Sequence, residues 1–216
     1  MRLAGEAEGA LASLYDLHAE IDREVGLLSK RHAERLQCRR GCSACCVDDL
    51  TVESVEAARI QRAHPELLRD AAPHPPGACA FLDADGSCRV YADRPSVCRS
   101  QGLPLRFFLE NDEDEIEERR DICPLNLEGG PPLEQLAEED CWLLGPFELR
   151  LAAIADAYAS EPFGGERGRE FRGESREQSN EEASTHGKRV ALRDLFARAA
   201  RPQVIPGQRE PISRRR

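Results

Sequence analysis

Residues 38–46 read CRRGCSACC and put four cysteines into nine positions, with Cys45 and Cys46 adjacent. Such a cluster can staple a fold with disulfides, hold a metal, or carry out redox chemistry. Thiolates favour zinc, iron and other soft or borderline metals. Cys42-Ser-Ala-Cys45 has the spacing of a metal knuckle, in which a tight turn aims two sulfurs at one ion, and Gly41 permits the backbone bend. Cys38 stands one step further off, still within reach. Neighbours such as Cys45 and Cys46 point in different directions, so one mononuclear site does not use both. The pair suits a polynuclear cluster, two adjacent sites, or one ligand beside a spare thiol. Downstream, Cys79, Cys88, Cys98 and Cys123 extend the set to eight. The ninth, Cys141, lies in the apolar run DCWLLG and reads as a small buried hydrophobe.

The elements that must position these thiols follow from periodicity. Residues 8–36 carry Leu11, Leu14, Ile21, Val25 and Leu28 at three- and four-residue steps, the stripe of an amphipathic helix. His18 and His32 fall on that stripe and read as edge histidines with hydrogen-bond partners rather than as ligands. TVESVEAARIQRAH predicts a second helix with Thr51 as its N-cap and an interruption at His64-Pro65. FLD and CRVY flank Asp85-Gly86 and predict a hairpin that folds Cys79 and Cys88 back toward each other. Its DADG lacks the oxygen ligands and closing glutamate of a calcium loop and reads as a turn. DRPSVCR predicts a helical turn carrying Cys98, with Asp93 placed to cap it. LPLRFFL and EIEERRDICPL predict a second hairpin with an acidic tip, PPLEQLAEED a short helix, and Pro146 the start of a last one with Leu149, Ala153, Ile154 and Ala157 inward.

The chain has 216 residues, enough for one domain with an appendage. Its net charge of −10 argues against a general nucleic-acid binder and against anionic membranes. The start has no secretory h-region, and no run approaches a bilayer span. A cytoplasmic location is therefore expected, where thiols stay reduced. Nine cysteines is moreover an odd number for a disulfide framework. Neither a nucleotide-binding glycine signature nor a hydrolytic triad order is visible.

CRRGCSACC, then CAFLDADGSCRVYADRPSVCR, then CPLN, together resemble the YkgJ-type cysteine-cluster family, a zinc- or iron-chelating domain with a CxxCxxCC motif. The resemblance covers residues 38–127. It implies Cys42, Cys45 and Cys46 in the core motif and Cys79, Cys88, Arg94, Pro95, Cys98 and Arg99 in the second half. Cys38 fits the longer version of the first motif, and Cys123 a more variable downstream cysteine. The family also resembles the cysteine domain of flagellin lysine methylases, which implies an alternative, an iron–sulfur-dependent enzyme. Arg94 and Arg99 are expected beside the cofactor, offsetting thiolate charge and donating to sulfur; holding an anionic substrate, or pairing with an acid such as Asp93, are the other readings.

The expectation is an α+β domain, mostly α: an N-terminal helical region (1–37), a cysteine-cluster core (38–127) with short hairpins, and packing helices (128–160). Residues 161–216 are expected as a charged, largely disordered tail, dispensable for metal binding. Within the tail, KRVALRDLFARAA is a lone amphipathic helix that docks back, binds a protein partner, or floats. The expected cofactor is zinc or iron, including a 4Fe-4S cluster, held by Cys38, Cys42, Cys45, Cys46, Cys79, Cys88, Cys98 and Cys123.

Overall fold

The structure, a computed structural model, describes residues 4–111, 113–160 and 188–199. The predicted first helix is α1, Ala4–Arg31, with Lys30 and Arg31 suiting the negative end of its dipole. Its stripe buries Leu14, Leu17 and Ile21 almost completely. Thr51 is not an N-cap: Thr51–Glu53 is a strand, β1, and helix α2 starts behind it at Ser54–Ala63. Pro65 then opens a short α3, Pro65–Asp70, as the His64-Pro65 break requires.

The first hairpin is reduced to one bridge, Leu82 to Cys88, closed by the Gly86 amide on the Asp83 carbonyl at 3.0 Å. Helix α4 is a single turn, Ser96–Arg99. The second hairpin forms as expected from β2, Leu105–Glu110, and β3, Ile116–Asp121, paired antiparallel from Leu105–Asp121 to Glu110–Ile116. Strand β4, Trp142–Leu143, joins β2 on its other side in parallel. The short helix expected in PPLEQLAEED is two 3-10 turns, at Leu133–Gln135 and Glu138–Asp140.

Helix α5, Pro146–Ala159, packs along α1, and of the four residues expected on its inner side only Ile154 is found there. Leu149, Ala153 and Ala157 are exposed, while Leu151, Ile154, Ala155 and Tyr158 meet α1 and α2. The apolar residues surround this helix too evenly for its sequence to name one face.

The tail assignment is corrected over residues 188–199. Strand β5, Arg189–Ala191, pairs antiparallel with β1, Val190 opposite Val52, and helix α6, Asp194–Ala199, follows. Val190, Leu192, Leu195 and Phe196 are buried against Ile60, Phe81 and Val90. Of the three readings of KRVALRDLFARAA, docking back is the one observed. Four large apolar side chains removed from water account for it, because each contributes about 1.5–3 kcal/mol. The rest of the expected tail, 161–187 and 200–216, lies outside the described residues.

Candidate metal centre

The loop from Gln37 to Cys46 is anchored by Asn126, a fully buried residue. Its Oδ1 accepts the Gln37 amide at 2.8 Å; its Nδ2 donates to the Gly102 carbonyl at 2.8 Å and to Cys38 Sγ at 3.5 Å. The Asn126 amide donates to the Cys123 carbonyl at 2.7 Å. One side chain thus ties Cys38 to the turn that carries Cys123. Gly102, at φ +95°, lies so close that a Cβ there would run into the Cys38 sulfur. Within the loop, the Cys42 amide closes a turn on the Arg39 carbonyl and the Cys46 amide closes another on Ser43, both at 2.9 Å. Cys42, Cys45 and Cys123 all lie within electrostatic reach of Cys38.

The second half of the motif is built onto the first by backbone contacts. The Cys79 amide donates to the Cys46 carbonyl at 3.0 Å. The turn at Gly86 rests on the turn at Gly41, both with φ near +80°; a Cβ on Gly86 would stand 2.8 Å from the Gly41 carbonyl oxygen. Only glycine allows the cysteine loop and the hairpin turn to meet this closely. Cys88 pairs with Leu82 across the hairpin, and α4 brings Cys98 beneath it. Cys46 and Cys98 each have Cys79 and Cys88 as charge neighbours, and Cys98 also has Cys45.

Helix α4 is held by buried polar groups rather than by apolar packing alone. Glu56 Oε1 accepts the Ser96 amide at 2.7 Å and stands 3.3 Å from His18 Nε2. Arg59 donates to His18 Nδ1 at 2.6 Å and to Asp93 at 3.0 Å, and His64 reaches the other Asp93 oxygen. Because Arg59 can only donate, Nδ1 must accept, and the proton of neutral His18 sits on Nε2, facing Glu56 and Ser96. Asp93 is therefore engaged by Arg59 and His64, and α4 has no side-chain cap. Arg94 and Arg99 both pair with Asp22 of α1, at 3.3 and 2.5 Å, an acid that the sequence reading did not single out. His32 Nε2 donates to the Asp140 carbonyl at 2.7 Å, since a carbonyl oxygen only accepts. Both stripe histidines thus have hydrogen-bond partners.

All nine cysteines are free thiols. Eight are drawn around the 38–46 loop, while Cys141 is buried elsewhere, with Arg120, Asp140 and Arg106 as its charged neighbours. Burial pushes the thiols of Cys38, Cys79 and Cys88 up, and Cys98 up to about 12. Cys45 is drawn down to about 6 by the adjacent Cys46 thiol, which is itself pushed up by the same contact. A metal ion entering here must displace protons from most of its ligands.

Among the described residues, no three Cys, His, Asp or Glu side chains stand close enough, as placed, to hold one ion. The donor chemistry nevertheless fits zinc or iron: eight thiols from five separate chain segments, with no disulfide drawing on them. Residues 37–124 match the model of the CxxCxxCC family, described as "Putative zinc- or iron-chelating domain". All eight gathered cysteines fall inside the matched span, and the Asn126 anchor lies just beyond it. No curated protein and no solved structure matches the chain. No helix among the described residues is long and apolar enough to cross a membrane.

Proposed function

We propose that the CxxCxxCC domain binds zinc or iron through Cys38, Cys42, Cys45, Cys46, Cys79, Cys88, Cys98 and Cys123, and that the bound metal organises the fold around it. The observation that supports this reading is the gathering of eight cysteines, spread over residues 38–123, around one loop, while the ninth is buried apart from them. Packing alone would not sort them in this way. Buried hydrophobic thiols scatter with the core, whereas all eight of these sit at its margin, half-buried or exposed.

Bound zinc supplies folding energy with a closed four-ligand shell, and a four-iron cluster supplies electron-transfer or Lewis-acid chemistry on the same number of thiolates. The chain's own residues do the rest. Asn126 holds the Cys38 sulfur by a hydrogen bond that favours the thiolate. Arg94 and Arg89 lie within reach of Cys88 and offset its charge. Arg99, pinned by Asp22 and the Ala92 carbonyl, fixes α4 and with it Cys98.

Purification without oxygen, with metal analysis and a visible spectrum, tests the reading. Stoichiometric zinc in a colourless protein gives a structural chelating module. Iron with acid-labile sulfide and broad visible absorption gives the iron–sulfur form, on which the enzyme alternative depends. A folded protein that retains neither metal and takes up neither on reconstitution refutes chelation.

A further inference from the structure

Beside the cysteine loop lies a cleft of about 610 Å³, lined by Gln37, Arg39, Arg40, Cys42, Ser43 and Leu125 among others. Its size falls within the roughly 300–1,000 Å³ of small-molecule sites. Two arginines line it and no acidic residue does, on a chain whose net charge is −10. Arg39 is exposed, and Arg40 stands 3.9 Å from Asp85, a contact too long and too exposed to neutralise it. The cleft is thus a positive spot on an acidic protein. Its walls are fixed from behind. The Gly41 turn rests on the Gly86 turn, Arg40 Nε donates to Ser87 Oγ at 3.3 Å, and the buried Asn126, next to Leu125, accepts the Gln37 amide. Cys42, half-buried, brings a thiol to the same cleft.

This charge has the wrong sign for a bare divalent cation. Arg39 and Arg40 repel a hydrated zinc or iron ion on its way to Cys42 and attract an anion. We propose that the cleft admits the metal as an anionic chelate, on a small polycarboxylate carrier whose uncoordinated carboxylates pair with Arg39 and Arg40 while Cys42 takes up the ion. The guanidinium fork matches a carboxylate with two parallel hydrogen bonds, and Leu125 offers apolar cover to the carrier's carbon skeleton. Each exchange breaks one carboxylate–metal bond and forms one thiolate–metal bond; the thiol proton passes to solvent, and no electron is transferred. Capture in this way proceeds one thiol at a time and needs no preassembled set of donors, because the carrier fills the ion's other positions meanwhile. The proposal rests on the chelation reading above and goes beyond it in naming the form in which the metal arrives and the residues that receive it.

Cobalt(II) uptake by the metal-free full-length chain, followed anaerobically at low salt through its thiolate-to-cobalt absorption, tests it. The cobalt is supplied either as the aqua ion or with excess citrate, which makes the complex anionic. The double variant Arg39→Gln/Arg40→Gln is expected to slow uptake from the citrate complex by about tenfold and to leave uptake from the aqua ion unchanged or faster. A merely structural role would slow both alike. Arg39→Gln alone, at an exposed position, gives the same contrast at smaller size should the double variant fail to fold. Calorimetry adds a reading on the protein as purified: metal-free citrate is expected to bind the unaltered chain, and to bind the double variant about tenfold more weakly. Equal slowing from both sources in a folded variant, no slowing from the citrate complex, or no citrate binding by the unaltered protein overturns the docking and leaves chelation standing. No uptake by the unaltered protein from either source overturns both.

Discussion

Arg193 donates twice to Asp48 Oδ1, from Nε at 2.9 Å and from Nη2 at 2.6 Å, across 145 residues of chain. The same guanidinium donates to the carbonyls of His74 and Ala78, and Asp48 accepts the Gly77 amide. A residue from the C-terminal segment therefore clasps the two loops that follow Cys46 and precede Cys79. Arg193→Ala is expected to lower the melting temperature by roughly 5 °C and to speed metal release to a chelator. Arg193→Lys, which loses the planar fork, should recover little of it. An unchanged release rate would show that the clasp does not bear on the site.

Truncation after Ser160 is expected to abolish cooperative unfolding. It removes four buried side chains, together contributing about 6–12 kcal/mol by area, against a typical whole-domain stability of about 5–15 kcal/mol. Thermal denaturation followed by circular dichroism measures this. A truncated protein with a sharp transition and full metal content would restore the view of the whole segment as a dispensable tail.

Asn126→Ala should be far more harmful than Cys141→Ala. The first leaves the buried Gly102 carbonyl and the Gln37 amide without partners, about 2–4 kcal/mol in all, and frees Cys38. The second removes one sulfur from the core, about 1–2 kcal/mol, and should leave the metal content untouched. Urea denaturation and metal analysis of the two purified variants give the comparison. Equal metal loss in both would count against the exclusion of Cys141.

Acidification should destabilise the protein in a window set by His18 and Glu56. Burial is the largest influence on His18 and lowers it below its ordinary value of 6.5, so the folded state keeps it neutral. Burial works against the Glu56 carboxylate, but hydrogen bonds from His18 and Ser96 outweigh it and hold the group below 4.5. In both cases the unfolded chain binds the proton first, and stability falls as pH falls. The loss begins near pH 6.5 through His18 and continues below 4.5 through Glu56. His18→Gln should flatten the first part of the curve relative to the unaltered protein. Urea denaturation from pH 7 to 5 on both proteins reads the difference, which also separates it from protonation of metal ligands. A steeper loss in the variant would contradict the assignment.

The cysteines were legible because their chemistry is rare and their spacing local: a knuckle, a turn at Asp85-Gly86, a helical turn at Ser96–Arg99. The helices α1 and α2 were legible from their stripes. What the pattern could not carry was the long-range pairing. Nothing local marks Val190 as the partner of Val52, or Asp22 rather than Asp93 as the partner of Arg99, because such choices are made by packing across the fold. Thr51 looked like a cap because threonine suits both a cap and a strand, and the arrival of β5 decides between them. Asn126 went unnoticed because a lone asparagine in CPLN has no periodicity to announce it, although, completely buried, it anchors the cysteine loop through Gln37 and Cys38.

The pairing of β1 with β5 also sets an order of events at the ribosome. Arg189 meets Thr51 138 positions after it is made, a delay on the order of ten seconds at ordinary translation rates. For that interval the segment bearing Cys79, Cys88 and Cys98 is out of the tunnel without the strand and helix that later cover its apolar side. Cys38, Cys42 and Cys45 sit on one short stretch and can seize an ion early, whereas the hairpin thiols wait for the chain's far end before their surroundings close. Nascent chains stalled before and after residue 199 should accordingly differ in how fast an alkylating reagent labels Cys79 and Cys88.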